Sequence, residues 1–228
     1  MNPTRILLVG ANGRLGKEIS KLIKSDARLN LADVCNRGDS IETKMKEIDV
    51  AIDVSHPDVT NDLCSTAVKN TVPLVIGTTG HSPEQRKAIE NAARSVPIVL
   101  ASNFSIGVNA LFALTRAAGR ILGPEFHPKV SETHHQMKKD APSGTAKTIA
   151  QILRRERDDG AEIPIESIRE GEVVGEHTVI FAGPNEQVEL KHRAESREIF
   201  ARGALRAAVW IVGKPARLYS MEDVLGLK

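Results

Sequence analysis

The chain has 228 residues, of which 41% are hydrophobic and 26% are charged, and its formal net charge is +2. Its length allows one large domain or two small ones, and its near-neutral charge does not indicate a nucleic-acid or membrane partner. Aromatic residues make up only 3% of the chain, which argues against base-stacking surfaces for single-stranded nucleic acid. No apolar stretch approaches the ~18 residues of a membrane span, and no secretory signal precedes the first strand, so we expect a cytoplasmic protein.

The first hundred residues alternate short apolar runs with helical patterns. Runs rich in Val and Ile predict five buried strands, at 5–9, 29–34, 50–54, 73–76 and 97–100. Three helices are predicted between them, at 14–24, 58–69 and 83–94. Ser82 is a plausible N-cap for the last of these, with Pro83 at the first helical position. The alternation predicts an α/β fold, a Rossmann-like, doubly wound parallel sheet.

The pattern changes after Ser102. The remaining helices are predicted at 108–122, 145–157 and 196–212, and the remaining strands at 129–134, 163–169, 177–181 and 187–192. Consecutive strands with short connections predict an antiparallel or mixed sheet in a separate α+β unit. The last helix, followed by a short tail, is expected to return to the first domain. We therefore expect one domain of residues 1–104 plus 198–228, and a second of residues 105–197.

A glycine-rich turn follows the first strand and opens the first helix. It consists of Gly10, Ala11, Asn12, Gly13, Arg14, Leu15 and Gly16. Glycines let backbone N–H groups approach a pyrophosphate, and the helix N-terminus adds a partial positive charge. The GxxGxxG spacing departs from GxGxxG, so a purely structural turn is the alternative. Its position in a βαβ unit near the N-terminus favours a dinucleotide site, which makes 1–104 plus 198–228 the dinucleotide-binding domain.

The residues after the second strand bear on the choice of coenzyme. Dinucleotide folds usually place an acidic residue there, where it binds the adenosine ribose. Here the neutral Asn36 takes that place, and Arg37 follows it. Arg37 could pair with a 2′-phosphate, or it could be a solvated loop arginine. We expect NADPH and/or NADH, with NADPH accepted.

Small and hydroxyl residues follow the fourth and fifth strands. The two segments consist of Gly77, Thr78, Thr79 and Gly80, and of Ala101, Ser102, Asn103 and Phe104. Ligands of open α/β sheets bind at the carboxyl ends of the strands, so these residues are candidates for contact with a nicotinamide ring. Ordinary turns at strand ends are the alternative.

A polar cluster at 132–145 carries the most chemistry. It contains two histidines, two lysines and a Ser-Gly-Thr run that opens a helix: His134, His135, Lys138, Lys139, Ser143, Gly144 and Thr145. Histidine donates protons near neutral pH, lysine binds anions and can act as an acid, and a helix N-terminus binds carboxylates. Adjacent histidines on a strand point to opposite sides, so we expect no metal site. The alternative is a solvated polar loop, and Met137 and Asp140 are expected to be structural.

Taken together, these segments resemble the 4-hydroxy-tetrahydrodipicolinate reductase (dihydrodipicolinate reductase) family of bacterial lysine and diaminopimelate biosynthesis. Residues 132–145 match the family pattern E-x-H-H-x-x-K-x-D-A-P-S-G-T. The resemblance covers essentially the whole chain. It extends to His192 and to residues 10–16, 77–80, 101–105, 175–177, 196–197, 200–204 and 219–224.

The resemblance implies an NAD(P)H-dependent oxidoreductase that reduces a cyclic, unsaturated imine dicarboxylate to tetrahydrodipicolinate. It makes His134 the proton donor and Lys138 a second acid. Residues 105–197 become the substrate-binding, catalytic and oligomerisation domain of a homotetramer. The substrate-binding residues that it implies are His135, Lys138, Ser143, Gly144, Thr145 and Arg197. Two departures from the family are the neutral Asn36 and a shorter 38–48 segment.

Two other functions are weighed against this one. A reductase of another substrate, such as an aldehyde, would share the two-domain plan. However, Cys35 and Cys64 both fall in the nucleotide-binding half, where neither is placed as a nucleophile. A nucleotide-sensing regulator would be expected to lose the His/Lys cluster, which is intact here.

Overall fold

A computed structural model describes residues 2–157 and 160–227. The strands are β1 (Thr4–Val9), β2 (Leu29–Cys35), β3 (Val50–Asp53), β4 (Leu74–Ile76), β5 (Ile98–Leu100), β6 (His127–His134), β7 (Ile165–Arg169), β8 (Gly175–Gly183), β9 (Glu186–Ala194) and β10 (Leu218–Tyr219). The helices are α1 (Arg14–Lys24), α2 (Ile41–Lys44), α3 (Thr60–Asn70), α4 (Pro83–Ala92), α5 (Ile106–Ile121), α6 (Gly144–Arg157), α7 (Glu198–Ile211) and α8 (Met221–Leu225). The chain divides into two compact units: unit 1 (Met1–Ser105 and Glu198–Lys228) and unit 2 (Ile106–Arg197).

Unit 1 is built on a six-stranded sheet in the order β10-β5-β4-β3-β1-β2. Every pairing in it is parallel. Alternate residues of β1 enter different cores, with Ile6 and Leu8 on one face and Leu7 and Val9 on the other. Both faces are therefore covered, as a parallel sheet requires. The predicted doubly wound sheet is confirmed.

The strand order reverses next to β1, which has β2 on one side and β3 on the other. This is a topological switch point, where the loops after neighbouring strands diverge and leave a crevice at their carboxyl ends. The glycine-rich turn after β1 is therefore at the edge where ligands of such sheets bind.

The C-terminal segment differs from the predicted tail. Leu218 and Tyr219 form β10, which pairs in parallel with β5, and Ser220 begins α8 with a capping box to Asp223. A two-residue strand is too short for a sequence pattern, because its conformation comes from pairing with β5. The helix predicted at 58–69 is also divided, into a 3₁₀ turn at Pro57–Val59 and then α3.

Helix α7 packs against the sheet of unit 1 through small residues. Ala201, Ala204 and Ala208 are fully buried in the same core cluster as Phe104. A Cβ atom built on Gly203 would overlap the carbonyl oxygen of Phe104. Glycine is therefore required at residue 203 because the helix backbone lies directly against the chain that follows β5.

Unit 2 contains a four-stranded mixed sheet in the order β7-β6-β8-β9. β6 pairs in parallel with β7 and antiparallel with β8, and β8 pairs antiparallel with β9. Helices α5 and α6 cover one face, where Phe112, Leu153 and Phe181 belong to one core. The predicted α+β second unit is confirmed. Among the residues that the structure describes, no helix is long and apolar enough to cross a membrane.

We predict that Gly203→Ala lowers the free energy of unfolding by about 1–3 kcal/mol, the usual cost of overpacking a tight contact. The matched control is Gly119→Ala, also inside a helix, where the added Cβ would meet its nearest neighbour at 3.4 Å. That variant should be neutral or up to about 1 kcal/mol more stable, because alanine is the better helix former. Urea unfolding of both variants measures the difference, and equal effects would contradict the packing argument.

Candidate active site

The glycine-rich turn in unit 1 is shaped by close backbone approach. Gly10 has φ +88°, and a Cβ there would lie 2.8 Å from the carbonyl oxygen of Val54. A Cβ on Gly16 would overlap the carbonyl oxygen of Gly10. The turn therefore requires glycine at both ends, with the start of α1 held close to β1 and to the residue that follows β3.

A cavity of about 810 Å³ lies at this edge of the sheet. The predicted coenzyme residues that line it are Gly10, Asn12, Gly13, Asn36 and Arg37. The side-chain oxygen of Asn36 accepts a hydrogen bond from the backbone N–H of Asn12, at 3.0 Å. The structure therefore brings the glycine-rich turn and the end of β2 together around one cavity.

A second cavity, of about 530 Å³, is lined by the segment after β4 and by the turn after β3. Leu15, Gly77, Thr78 and Thr79 are among its lining residues. The turn after β3 contributes Ser55 and His56 to both cavities, and sequence reasoning gave neither residue a role. Their position directly after a strand at the switch point was the signal that could have found them.

The buried Asp53, the last residue of β3, fixes that turn. Its carboxylate accepts hydrogen bonds from the Ser55 hydroxyl and, at 3.1 Å, from the Ser55 backbone N–H. The same N–H lies 3.0 Å from the hydroxyl oxygen of Thr78. Burial raises the pKa of Asp53 above its ordinary value, despite these hydrogen bonds. The turns after β3 and β4 are thus held to each other.

The residues after β5 that were predicted to contact a nicotinamide ring, 101–104, differ in burial. Phe104 is buried, and a Cβ on Gly77 would overlap its ring, whereas Ser102 is exposed. The side-chain oxygen of Asn103 accepts a hydrogen bond from the Ser105 N–H, at 2.8 Å. Ala101 and Phe104 belong to the core of unit 1, and neither of the two cavities is lined by the 101–104 segment.

These features of unit 1 fit a dinucleotide. The turn has no room for side chains at Gly10 and Gly16, it opens a helix of 11 residues, and it faces a cavity at the switch point. Such a turn presents backbone N–H groups to a pyrophosphate. Asn36 and Arg37 line the same cavity as this turn.

Unit 2 buries a carboxylate beside the predicted proton donor. Glu132 and His134 are on the same side of β6, and Glu132 is only 1% exposed. Its carboxylate forms a hydrogen bond with Nδ1 of His134. It also accepts from the guanidinium of Arg169 at 2.8 and 3.1 Å, and from the Ser143 N–H at 3.2 Å. This burial satisfies the rule that an interior charge must be paired and hydrogen-bonded.

The neighbours of Glu132 and His134 shift both pKa values. Burial alone would raise the pKa of Glu132, but hydrogen bonds led by that of Arg169 keep the pKa below its ordinary value. Burial lowers the pKa of His134, and the Glu132 carboxylate only partly opposes this. Glu132 is therefore ionised and accepts the Nδ1–H of a neutral His134, which leaves Nε2 as the ring nitrogen for other partners.

A second buried histidine, His177, lies beside His134. The ring centroids are 5.1 Å apart, and Nε2 of His177 is 3.1 Å from the hydroxyl of Ser143. Burial and the neighbouring His134 lower the pKa of His177 to about 3. A Cβ on Gly175, the first residue of β8, would lie 3.1 Å from Nε2 of His134, so this glycine leaves room beside that nitrogen.

The donor atoms of Glu132, His134 and His177 lie within 4.8 Å of one another, close enough to hold a cation. Arg169, however, already supplies the positive charge that compensates Glu132. A divalent ion would lie against that guanidinium, which makes this a poor metal site.

Of the other predicted substrate residues, His135 and Lys138 follow β6, whereas Arg197 follows β9. Nε2 of His135 lies 3.3 Å from the guanidinium of Arg197, so two of the predicted residues are brought together. Nζ of Lys138 pairs with both carboxylate oxygens of Asp140, at 2.8 and 2.9 Å. Asp140, expected to be structural, therefore holds the predicted acid.

The Ser-Gly-Thr run begins α6. The hydroxyl of Ser143 accepts from the Ala146 N–H at 3.2 Å, so Ser143 caps this helix. Ser143 is 2% exposed, and its N–H and hydroxyl are engaged inside the unit. Gly144 is exposed and Thr145 is half-buried, as the first residues of a 14-residue helix.

Three residues of this network were given no role from the sequence, namely Arg169, His177 and Glu132. The signal for them is alternation, since each falls on the inward-facing side of a predicted strand. Charged or titratable residues on an inward face are rare unless they are paired, and such positions are candidates for a buried network.

A Rossmann-like unit with a dinucleotide-type cavity, followed by a mixed-sheet unit with a His/Lys cluster, defines the class of two-domain nicotinamide-dependent reductases. Two family models match the chain: "Dihydrodipicolinate reductase, N-terminus" over residues 4–104, and "Dihydrodipicolinate reductase, C-terminus" over residues 107–225. The chain belongs to the dihydrodipicolinate reductase family.

Relatives match over nearly their full length. A 4-hydroxy-tetrahydrodipicolinate reductase of Akkermansia muciniphila is 46% identical over 240 residues, which cover 97% of this chain and 98% of the relative. One of Methanoculleus marisnigri is 42% identical over 252 residues, covering 98% and 99%. The dipicolinate-bound dihydrodipicolinate reductase of Paenisporosarcina sp. TG-14 has the same fold, with a TM-score of 0.81 at 22% identity, covering 97% of this chain and 98% of that one.

We predict that His177 makes folding stability depend on pH between about 6.5 and 3. Its folded pKa is about 3, below the ordinary 6.5, so the unfolded chain binds the proton first and stability falls as the pH falls through this range. In His177→Gln the slope of unfolding free energy against pH should be smaller, by up to about 1.4 kcal/mol per pH unit. His127→Gln, at the exposed start of β6, is the control. An unchanged slope for His177→Gln in denaturant titrations would contradict the prediction.

Proposed function

We propose that the chain reduces 4-hydroxy-tetrahydrodipicolinate to tetrahydrodipicolinate with NADPH and/or NADH, in diaminopimelate and lysine biosynthesis. The observation that carries the proposal is the paired His134, beside the Lys138 segment and the start of α6, in a chain of this family. A cytoplasmic homotetramer, without a nucleic-acid or membrane partner, remains the prediction from the family resemblance.

Unit 1 would hold the coenzyme. Gly10–Leu15 would bind the pyrophosphate, Asn36 and Arg37 the adenosine ribose, and the segments 77–79 and 101–104 the nicotinamide end. The bound coenzyme supplies a hydride. Asp39 and Glu42 also line the larger cavity, so Arg37 would meet a 2′-phosphate among carboxylates. This arrangement supports the use of either coenzyme.

Unit 2 would hold the substrate and supply the proton. Lys138, the His135–Arg197 pair and the N–H groups of Gly144 and Thr145 are positive or donor groups suited to two carboxylates. Because Nζ of Lys138 is paired with Asp140, a substrate carboxylate would share or replace that partner. Ser143 would contribute less to substrate binding, because its N–H and hydroxyl are already hydrogen-bonded to Glu132 and His177.

The proton would come from His134 and/or Lys138. His134 is neutral and holds its Nδ1–H toward Glu132, so a proton delivered to substrate would leave from Nε2 of the protonated ring. The negative charge of a bound dicarboxylate favours that protonated form. Cationic groups around the carboxylates would also withdraw electron density from the ring being reduced. Loss of water accompanies reduction of the 4-hydroxylated substrate.

The direct test follows the oxidation of NADPH and, separately, of NADH at 340 nm, with freshly prepared 4-hydroxy-tetrahydrodipicolinate. Substrate-dependent loss of absorbance is expected with at least one coenzyme. No turnover with either one, in a protein that still binds coenzyme, would refute the proposed substrate.

In the same assay we predict that Lys138→Ala lowers kcat by about 100-fold or more, the range of lost acid catalysis. Coenzyme binding should stay near the wild-type level, because the glycine-rich turn belongs to unit 1 and Lys138 to unit 2. Lys139→Ala is the matched control, since this neighbouring lysine is exposed and should leave kcat within about 2-fold. An unchanged kcat in Lys138→Ala would remove Lys138 from the mechanism.

We further predict that Asn36→Glu shifts the ratio of kcat/KM for NADPH and NADH toward NADH, because a carboxylate would repel the 2′-phosphate. Asn36→Gln keeps the amide and controls for loss of the hydrogen bond to the Asn12 N–H. If the ratio moves equally in both variants, or in neither, Asn36 does not lie at the ribose.

A further inference from the structure

We propose that Arg169 is a positioning residue for both proton-donating groups: it fixes His134 through Glu132, and the Lys138 segment through the backbone of Asp140. The test measures kcat, which rests on the proposed function, and the NMR titration of His134, which does not. Arg169 lies at the end of β7, opposite His134 in the parallel register of β6 and β7.

The first branch runs through Glu132. The guanidinium of Arg169 donates to both oxygens of this buried carboxylate, at 2.8 and 3.1 Å. A planar fork that binds both oxygens fixes the rotation of the carboxylate as well as its position. Since Nδ1 of His134 bonds to the same carboxylate, the direction in which Nε2 points depends on this fork.

The second branch runs through Asp140. One nitrogen of the same guanidinium donates to the carbonyl oxygen of Asp140, at 2.7 Å. The carboxylate of Asp140 holds Nζ of Lys138. One arginine thus connects the strand that carries His134 to the segment that carries Lys138.

A structural role alone is a weaker explanation of these contacts. A buried ion pair gains little stability over apolar packing because desolvation offsets the attraction. An apolar pair at positions 132 and 169 would fill the space, yet it would leave Nδ1 of His134 without an acceptor and the Asp140 carbonyl without its donor. The pair is therefore better explained by the orientation that it imposes.

Among the charged and titratable groups that face His134, Arg169 and Glu132 should have opposite effects on the protonation of its ring. They are Glu132 on β6, Arg169 on β7, His177 on β8 and Lys138 in the following segment, with His192 on β9 beyond His177. Removing the Arg169 cation removes a charge that repels a protonated His134, so protonation should become easier. Removing the Glu132 carboxylate should make protonation harder. A general loss of structure in both variants would not give opposite directions.

The test compares Arg169→Met, Arg169→Lys, Glu132→Gln and the control Arg120→Met. Arg120 also pairs with a glutamate in unit 2, Glu156, but at the exposed contact of α5 and α6. Arg169→Met should lower kcat by about 100-fold, as expected when a reacting group is misplaced by about 1 Å, with KM for the coenzyme unchanged. Arg169→Lys restores the charge without the fork and should recover part of kcat. Arg120→Met should match the wild type.

NMR titration of the His134 ring, without substrate or coenzyme, supplies the second readout. The midpoint should move to higher pH in Arg169→Met and to lower pH in Glu132→Gln, and stay near the wild-type value in Arg169→Lys. Midpoints that shift in the same direction, or a kcat for Arg169→Met equal to that of Arg120→Met, would overturn the proposal.

A variant-free measurement protects the test against misfolding of either substitution. Nitrogen-15 spectra of the wild-type protein at neutral pH should show His134 protonated at Nδ1, the tautomer that the Glu132 carboxylate selects. Protonation at Nε2 instead would overturn the proposal regardless of the variants. A protein with the expected tautomer and titrations but no reductase activity would refute the proposed function and leave the positioning role standing.

Discussion

The buried carboxylate of Glu132 is the group on which the proposed catalytic unit depends. Glu132 is 1% exposed, and a buried charge must be paired and hydrogen-bonded inside the protein. Arg169 from β7 supplies the opposite charge, and His134 from β6 and the N–H of Ser143 supply further hydrogen bonds. These partners come from three different parts of unit 2. Satisfying one charge therefore holds a strand pair and the start of α6 in a fixed relation.

The same network places the proposed acids and the proposed carboxylate-binding groups within one unit. His134 is buried and neutral, and its Nε2 lies beside Gly175, where a Cβ would be only 3.1 Å away. Lys138 is held by Asp140, and α6 begins with exposed backbone at Gly144. A proton source, a cation and a helix N-terminus are thus supplied by about a dozen consecutive residues. In unit 1, by contrast, close backbone approach at Gly10 and Gly16 shapes the glycine-rich turn beside the larger cavity.

Local pattern predicted most of the fold. Runs of Val and Ile between turn residues gave β1 to β9 to within a few residues, and the cap at Ser82 was correct. Three short elements, α2, β10 and α8, were missed because each spans five residues or fewer, too few to show a periodicity, and β10 forms only by pairing with β5. Of the predicted coenzyme residues, Gly10, Asn12, Gly13, Asn36 and Arg37 line the larger cavity, Leu15 and residues 77–79 line the smaller one, and the 101–104 segment lines neither. In unit 2 the predicted residues lie between the end of β6 and the start of α6, except for Arg197, which follows β9 and contacts His135.

The sequence alone determined the βα alternation, the glycine-rich turn and the His/Lys segment, because each depends on residues close together in the chain. It also determined the family, through the length of the 132–145 pattern. The tertiary structure decided which partners a buried group finds. Arg169 is 37 residues from Glu132, and His177 is 34 residues from Ser143. No local rule pairs them, because strand order and register alone bring β6, β7 and β8 side by side.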